Sequence, residues 1–243
     1  MNKTLKKIYF KESFYPSWLL GIWINPVFIV RRGLLKGVQK ISSQFIGNKL
    51  LDIGCGSKPY ARLFEVDKYV GIDVKESFEG SSHKSVDKFY DGINLPFDDN
   101  EFNWVFSSEV FQQVFYLDNL FIEINRVLKH GGKLGFTCPF VWDEHESPSY
   151  DFSRYSSVGI NDLLKKHGFE IESIYKSSSY IETIFQMLAL YIYKHLLPGN
   201  AYFKIALTPF FVAPLNIIGV LLGKILPNNQ KFYLSNIVIA VKK

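Results

Sequence analysis

Leu50-Leu51-Asp52-Ile53-Gly54-Cys55-Gly56 is the stretch whose reading decides the fold. It is an apolar, β-prone run interrupted by two glycines and followed by a helical pattern at Tyr60 to Phe64. That is the join of a strand to a helix, with glycines where side chains would keep a ligand from the backbone. Amides exposed at the start of such a helix attract a carboxylate or a phosphate. A dinucleotide-binding turn would carry a third glycine at position 59, where this chain has Pro59. The departure argues against NAD and leaves room for a ligand without a pyrophosphate.

Working outward, Val70-Gly71-Ile72-Asp73 is a second apolar strand ending in a carboxylate seventeen residues past Gly56. An acid there is placed to accept both ribose hydroxyl protons of a nucleoside. Alone, Asp73 would read as a turn or cap acid; beside the glycine loop, the ligand reading is favoured. Further strands are expected at Lys49 to Ile53, Lys68 to Asp73, Val86 to Asp91, Trp104 to Ser107, Lys133 to Cys138, Glu170 to Tyr175 and Tyr233 to Val241. Helices are expected at Leu117 to Leu128 and Gly159 to His167, ended by the glycines of His130-Gly131-Gly132 and by Gly168. Alternation of this kind predicts an α/β fold with a mostly parallel sheet.

Two segments stand outside the alternation. Residues 1–48 precede the first strand, and an insertion at about 180–228 separates the last two within a domain spanning 49–243. The insertion has a helical pattern from Ile181 to Leu197, then an uncharged run from Ile205 to Gly223 broken by Pro209, Pro214 and Gly219. If the last two strands share one sheet, a single membrane pass is excluded. What remains is an in-plane helical pair, a re-entrant hairpin, or an extension buried in the protein or a dimer.

The chain has 243 residues, 47% of them hydrophobic and 21% charged, which suits one catalytic domain with extensions. Its net charge of +5 is unevenly spread. Residues 1–49 hold nine Lys/Arg against Glu12, residues 176–243 hold seven against Glu182, and the centre holds twelve against twenty-one acids. Both ends are basic and apolar, a pairing that suits an anionic membrane surface and disfavours nucleic acid. Phe10, Phe14, Tyr15 and Trp18 lie among lysines and read as core or as interfacial anchors. The run from Trp18 to Val30 has no small-residue cleavage site and is followed by Arg31-Arg32, so no cleaved signal is expected. Cys55 and Cys138 have no partner at metal-ligand spacing, so neither zinc nor a disulfide framework is expected. The expected location is cytoplasmic, peripheral at the inner face of the membrane.

With these motifs in place, the sequence resembles the class I S-adenosylmethionine-dependent methyltransferases of the type 11 group. Residues 50–56 look like that family's first motif, and Gly71-Ile72-Asp73 like its ribose-binding second. Asp91-Gly92-Ile93-Asn94-Leu95-Pro96-Phe97 is similar to its acid-x-x-x-Leu-Pro-Phe segment, in which the acid contacts the adenine amine. Ser107-Ser108-Glu109-Val110 looks like the exit of the fourth strand, and Val127 to Leu134 like the turn into the fifth. The matches keep the family's order across about residues 48–175. The resemblance implies a Rossmann-like seven-stranded sheet with an antiparallel last strand. It also implies S-adenosyl-L-methionine as cofactor, held by Asp52, Gly54, Cys55, Gly56, Asp73, Val74, Asp91, Gly92, Ile93 and Ser107. Where the family often has a Glu-His pair after the fourth strand, this chain has Phe111-Gln112-Gln113-Val114. Asn103 stands where an Asp is common.

Methyl transfer from a sulfonium is an in-line displacement, and a base is needed only for a hydroxyl or protonated amine acceptor. The densest polar group follows the fifth strand, in Trp142-Asp143-Glu144-His145-Glu146 and Tyr150-Asp151-Phe152-Ser153-Arg154-Tyr155. His145 is the expected base, with Glu109 and Tyr155 as the other catalytic candidates and Glu144 and Arg154 as acceptor-binding ones. A solvated acidic turn is the plainer reading of any one of these residues, and a metal site is disfavoured. The leading expectation is O-methylation of a lipid-linked, sugar or other amphiphilic cell-surface precursor. The alternatives are a soluble small-molecule methyltransferase that forms a homodimer through its apolar segment, and a cofactor-binding scaffold without activity.

Overall fold

The structure, a computed structural model, describes residues 3–75, 85–145 and 150–243; Glu146 of the loop quoted above lies outside them. The chain forms two compact units, one from Met1–Lys36 with Lys176–Ser235, the other from Gly37–Tyr175 with Asn236–Lys243.

The second unit is built on the sheet. Its strands are β1 (Lys49–Ile53), β2 (Lys68–Val74), β3 (Lys88–Tyr90), β4 (Phe102–Ser108), β5 (Leu128–Pro139), β6 (Phe169–Lys176) and β7 (Ser235–Lys242). They lie in the order β3-β2-β1-β4-β5-β7-β6. The first five pair in parallel, with Leu51 opposite Val70 on one side and Val105 on the other. The last strand is antiparallel: Ser177 donates its N–H to Ser235 O at one end of β6, and Lys243 to Gly168 O at the other. Central parallel strands are covered on both faces, which is why β1 is apolar apart from Lys49 at its start and Asp52. Leu51, Ile53, Val105, Phe136 and Val238 form the core with α4 (Leu117–Val127), whose Leu120, Phe121, Ile124 and Val127 share one buried stripe. α5 (Ser157–Lys166) is capped by the Ser156 hydroxyl, which accepts from Gly159 N–H, and Gly168 follows it at φ +78°.

Two expected elements are corrected. No α-helix follows the glycine loop; the segment holds a single 3₁₀ turn, Ala61–Leu63, because β2 begins at Lys68 and Lys58-Pro59 occupy the intervening turn with Lys58 at φ +54°. The fourth helix is not ended by Gly131. The chain is already extended at Leu128, which pairs with Phe102, and β5 starts five residues before Lys133. The ladder then skips register between Phe102 and Trp104, and Gly131, at φ +72°, lies in that irregularity.

The first unit is helical. It contains α1 (Lys3–Phe14), α2 (Gly21–Ile24), the start of α3 (Phe28–Ser42), α6 (Tyr180–Tyr191), α7 (Ala201–Phe211) and α8 (Ala213–Ile225). A capping box between Ser179 and Glu182 starts α6, and Asn200 caps α7. Gly219 and Gly223 let α8 approach α6 closely: a Cβ on Gly219 would lie 2.6 Å from Phe185 Cβ, and one on Gly223 2.7 Å from Glu182 Cγ. Among the described residues no single helix is long and apolar enough to cross a membrane, and α7 and α8 together form an apolar pair bent by 43°.

Candidate active site

The glycine loop turns sharply at the end of β1. Gly54 and Gly56 have φ of +70° and +51°, a backbone that side chains other than glycine's adopt only with strain. Gly54 N–H and Cys55 N–H both donate to Ile72 O, which ties the loop to β2. A Cβ on Gly54 would strike Val110 Cγ2 at 2.4 Å, whereas one on Gly56 would meet nothing within 4 Å. The turn is therefore packed on one side and open on the other. From the open side Gly56 N–H donates to Asp73 Oδ2 at 2.8 Å, and Val74 N–H donates to Asp73 Oδ1 at 2.8 Å. Two backbone donors thus fix a buried carboxylate that can accept about four hydrogen bonds.

Asp73 lines a cavity of about 950 Å³, as do Gly54, Val74, Asp91, Gly92 and Ile93. Asp91 is exposed and organises its own turn: Oδ1 accepts from Ile93 N–H and Asn94 N–H, and Oδ2 from the Asn94 amide. Those bonds, the Asn94 side chain's foremost, hold it below the usual carboxylate range. Tyr90 lines the same cavity, and its hydroxyl is pushed up by burial and then by Asp73 and Asp91.

Glu109 reaches the same cavity from the end of β4, and it is one of the few non-glycine residues at positive φ, +57°. Its N–H donates to Thr137 O and to Thr137 Oγ1, and its carbonyl accepts from Gln112 Nε2 at 2.7 Å. Strain of this kind, about 1–3 kcal/mol, persists where surrounding bonds impose it, and it is frequent at functional sites. Four exposed aromatic side chains, Phe115, Tyr116, Tyr150 and Phe152, edge the cavity. Phe115 stacks edge-on to Tyr116 and Phe152 at 5.0 and 5.1 Å.

The loop after β5 is held by one acid. Asp151 accepts from His145 N–H and faces His145 Nδ1, both at 2.9 Å, and it pairs with both terminal nitrogens of Arg154. Arg154 also donates to the carbonyls of Asp143 and Ser153. The Arg154 guanidinium, then His145, hold the Asp151 carboxyl well below its ordinary range, and the same bonds push Arg154 up. An ionised Asp151 only accepts, so the proton of a neutral His145 sits on Nδ1 and Nε2 is the basic nitrogen. Phe152 N–H donates to Gln112 O, tying this loop to the turn after β4.

Not every expected residue reaches the cavity. Ser107 is fully buried and its hydroxyl donates to Ile53 O; its neighbour Ser108 lines the cavity instead, as alternation along a strand requires. Asp52 is buried in β1, accepts from the Tyr69 hydroxyl at 2.6 Å and is pushed up to about 7 by burial, against that hydrogen bond. Cys55 is buried with its thiol pushed up, chiefly by burial, which leaves it inert as a nucleophile. Tyr155 packs partly on the core, and its carbonyl accepts from Asn236 Nδ2. Glu144 is exposed.

With this geometry, residues 51–136 match the family described as a methyltransferase domain. They are a class I S-adenosylmethionine-dependent methyltransferase domain. The chain is 35% identical over 106 residues to a sterol 24-C-methyltransferase of Gibberella zeae, covering 37% of this chain and 27% of that one. It is 33% identical over 112 residues to the demethylmenaquinone methyltransferase of Staphylococcus saprophyticus, covering 41% and 48%. The chain thus spans between about a quarter and a half of these relatives' length. The fold matches phosphoethanolamine N-methyltransferase 2 of Haemonchus contortus, solved with S-adenosyl-L-methionine, with a TM-score of 0.54, 21% identity and 96% and 59% of the two chains covered.

The cavity fits that cofactor. An anchored carboxylate at the end of β2, an open glycine turn beside it and a second acid at the end of β3 suit a nucleoside that carries an amino-acid tail. Tyr90, Ser108 and the aromatic edge escape a motif-based reading; the strand alternation that moves the site from Ser107 to Ser108 was the signal available for one of them.

Proposed function

We propose that the protein transfers a methyl group from S-adenosylmethionine to a hydroxyl of an amphiphilic acceptor, a lipid-linked or sugar-bearing cell-surface precursor, at the cytoplasmic face of a membrane. The observation that carries this is one cavity bearing both the nucleoside acids Asp73 and Asp91 and four exposed aromatic rings. Exposed aromatic surface at a cavity is what an acceptor with a large apolar part would cover. Two relatives named for a sterol and for demethylmenaquinone support an apolar acceptor.

When bound, S-adenosylmethionine supplies a methyl group on positively charged sulfur, already activated for displacement. Asp73 and the Gly54–Gly56 turn hold its nucleoside and tail, with Val74, Gly92 and Ile93 around them. The aromatic edge positions the acceptor and excludes water. Glu109, which lines the cavity, and His145, which Asp151 orients on the loop after β5 and which does not line it, are the candidates to take the hydroxyl proton. Arg154 keeps Asp151 ionised and acts through it.

The test is turnover of a total lipid extract with methyl-labelled cofactor. Label in a lipid product supports the reading. Label only in water-soluble product favours a small-molecule methyltransferase, and cofactor binding with no labelled product favours a scaffold.

A further inference from the structure

The helical unit is built with its polarity reversed. On α8 the outward residues are Pro214, Ile218, Leu221 and Ile225, spaced as a single helical stripe, with Lys224 beside them. On α6 they are Tyr180, Ile184, Leu188 and Tyr191, and on α7 Phe203, Ala206 and Phe210 join Tyr202. Phe210 and Ile225 are 74% and 76% exposed. The amide side chains of these helices lie inside. Gln186 donates to Pro26 O and accepts from Val30 N–H, and Asn216 donates to Ile22 O and Asn25 O, with both side chains fully buried. A helix in water carries its polar residues outward, and helices facing lipid use small and polar residues between themselves.

Charge selects among the occupants of such a surface. This unit holds twelve Lys/Arg against Glu12 and Glu182 alone. A second copy would bring a like charge to it, whereas an anionic bilayer brings the opposite one. α7 and α8, with eleven and thirteen residues, are each too short to cross about 30 Å of hydrocarbon, and their bend of 43° suits a knee lying in the headgroup boundary.

We infer that the outward faces of α6, α7 and α8 dock the protein in the plane of an anionic lipid surface, with Phe210, Leu221 and Ile225 inserted. This rests on the proposed membrane setting of the methyltransferase. The experiment is flotation of the full chain with pure phosphatidylglycerol or phosphatidylcholine vesicles, which requires neither acceptor nor cofactor, beside calorimetric titration with S-adenosylmethionine. The expected result is flotation with phosphatidylglycerol only. It should fall at least tenfold in the triple variant Phe210→Ser, Leu221→Ser, Ile225→Ser and in Lys194→Glu with Lys231→Glu, two exposed lysines of this unit, while cofactor titration is unchanged. Either no flotation or equal flotation on both vesicles overturns the inference. So does a lipid-free dimer that the triple variant dissociates. A protein that floats but transfers no methyl group would sink the proposed activity and leave this surface standing.

Discussion

Helix α4 and helix α8 are of similar length and pack by one face, yet they treat their other face in opposite ways. α4 buries Leu120, Phe121 and Ile124 and turns Asp118 and Asn119 outward; α8 buries Asn216 and Gly219 and turns Ile218, Leu221 and Ile225 outward. The first is the pattern of a helix solvated by water. The same contrast divides the charge: the sheet unit carries sixteen Lys/Arg against twenty-one acids, and the helical unit twelve against two. One chain therefore contains a unit suited to an aqueous cofactor and a unit that we propose meets a lipid surface.

The comparison breaks most directly at Asp73. Asp73→Ala removes the carboxylate that Gly56 and Val74 anchor, and calorimetry should find S-adenosylmethionine binding about 100-fold weaker, since hydrogen bonds to a charged group contribute about 1.5–3 kcal/mol each. Vesicle flotation of this variant should match the wild type. If it does not, the two units are not separate in function.

Next comes the packed side of the turn. Gly54→Ala puts a Cβ against Val110 at positive φ and should lower stability by about 2–3 kcal/mol in denaturant unfolding. Adding Val110→Ala should relieve the clash and leave the backbone strain, so recovery of stability that is complete would show that φ costs nothing there.

Asp151→Asn should lower stability by about 1–2 kcal/mol at pH 7 through the weakened Arg154 and His145 bonds. Because the folded pKa of Asp151 is depressed, its contribution is present above the carboxylate's unfolded value, about 3.9, and is lost as pH falls below it. Wild type and variant melting curves should converge in acid. The smallest effect is the reverse one. Asp52 has its folded pKa raised to about 7, so the stability this confers is full at low pH and is lost as pH rises toward 7. Asp52→Asn should remove that loss and gain about 1 kcal/mol at pH 8, with the Tyr69 hydrogen bond kept.

The sheet was legible because its strands are short apolar runs set off by glycine and acid, and the order of Gly54, Asp73 and Asp91 along the chain is also their order at the strand ends. The boundary errors have a common cause. Leu128 pairs with Phe102 across the sheet, a long-range contact that overrides the local glycine signal at Gly131. The 3₁₀ turn at Ala61–Leu63 is short for want of chain length before β2, which local pattern does not weigh. In the site, motif order located the cavity's acids but not which of Ser107 and Ser108 faces it, nor that the side chains of Asp52 and Cys55 are buried. His145 was legible as a candidate, while its pairing with Asp151 is a contact that spacing alone does not reveal. The outward apolar stripes of α6 to α8 were visible only as a helical pattern and an uncharged run, since burial decides which face of a helix meets solvent.

The most direct measurement is methyl transfer itself. Purified protein is incubated with methyl-labelled S-adenosylmethionine and anionic vesicles carrying a total lipid extract, and label is counted in the organic phase after extraction. The account predicts label in the lipid phase that disappears in Asp73→Ala and falls at least tenfold in the Phe210, Leu221 and Ile225 triple variant. Label confined to the aqueous phase, or lipid labelling that the triple variant leaves intact, would contradict it.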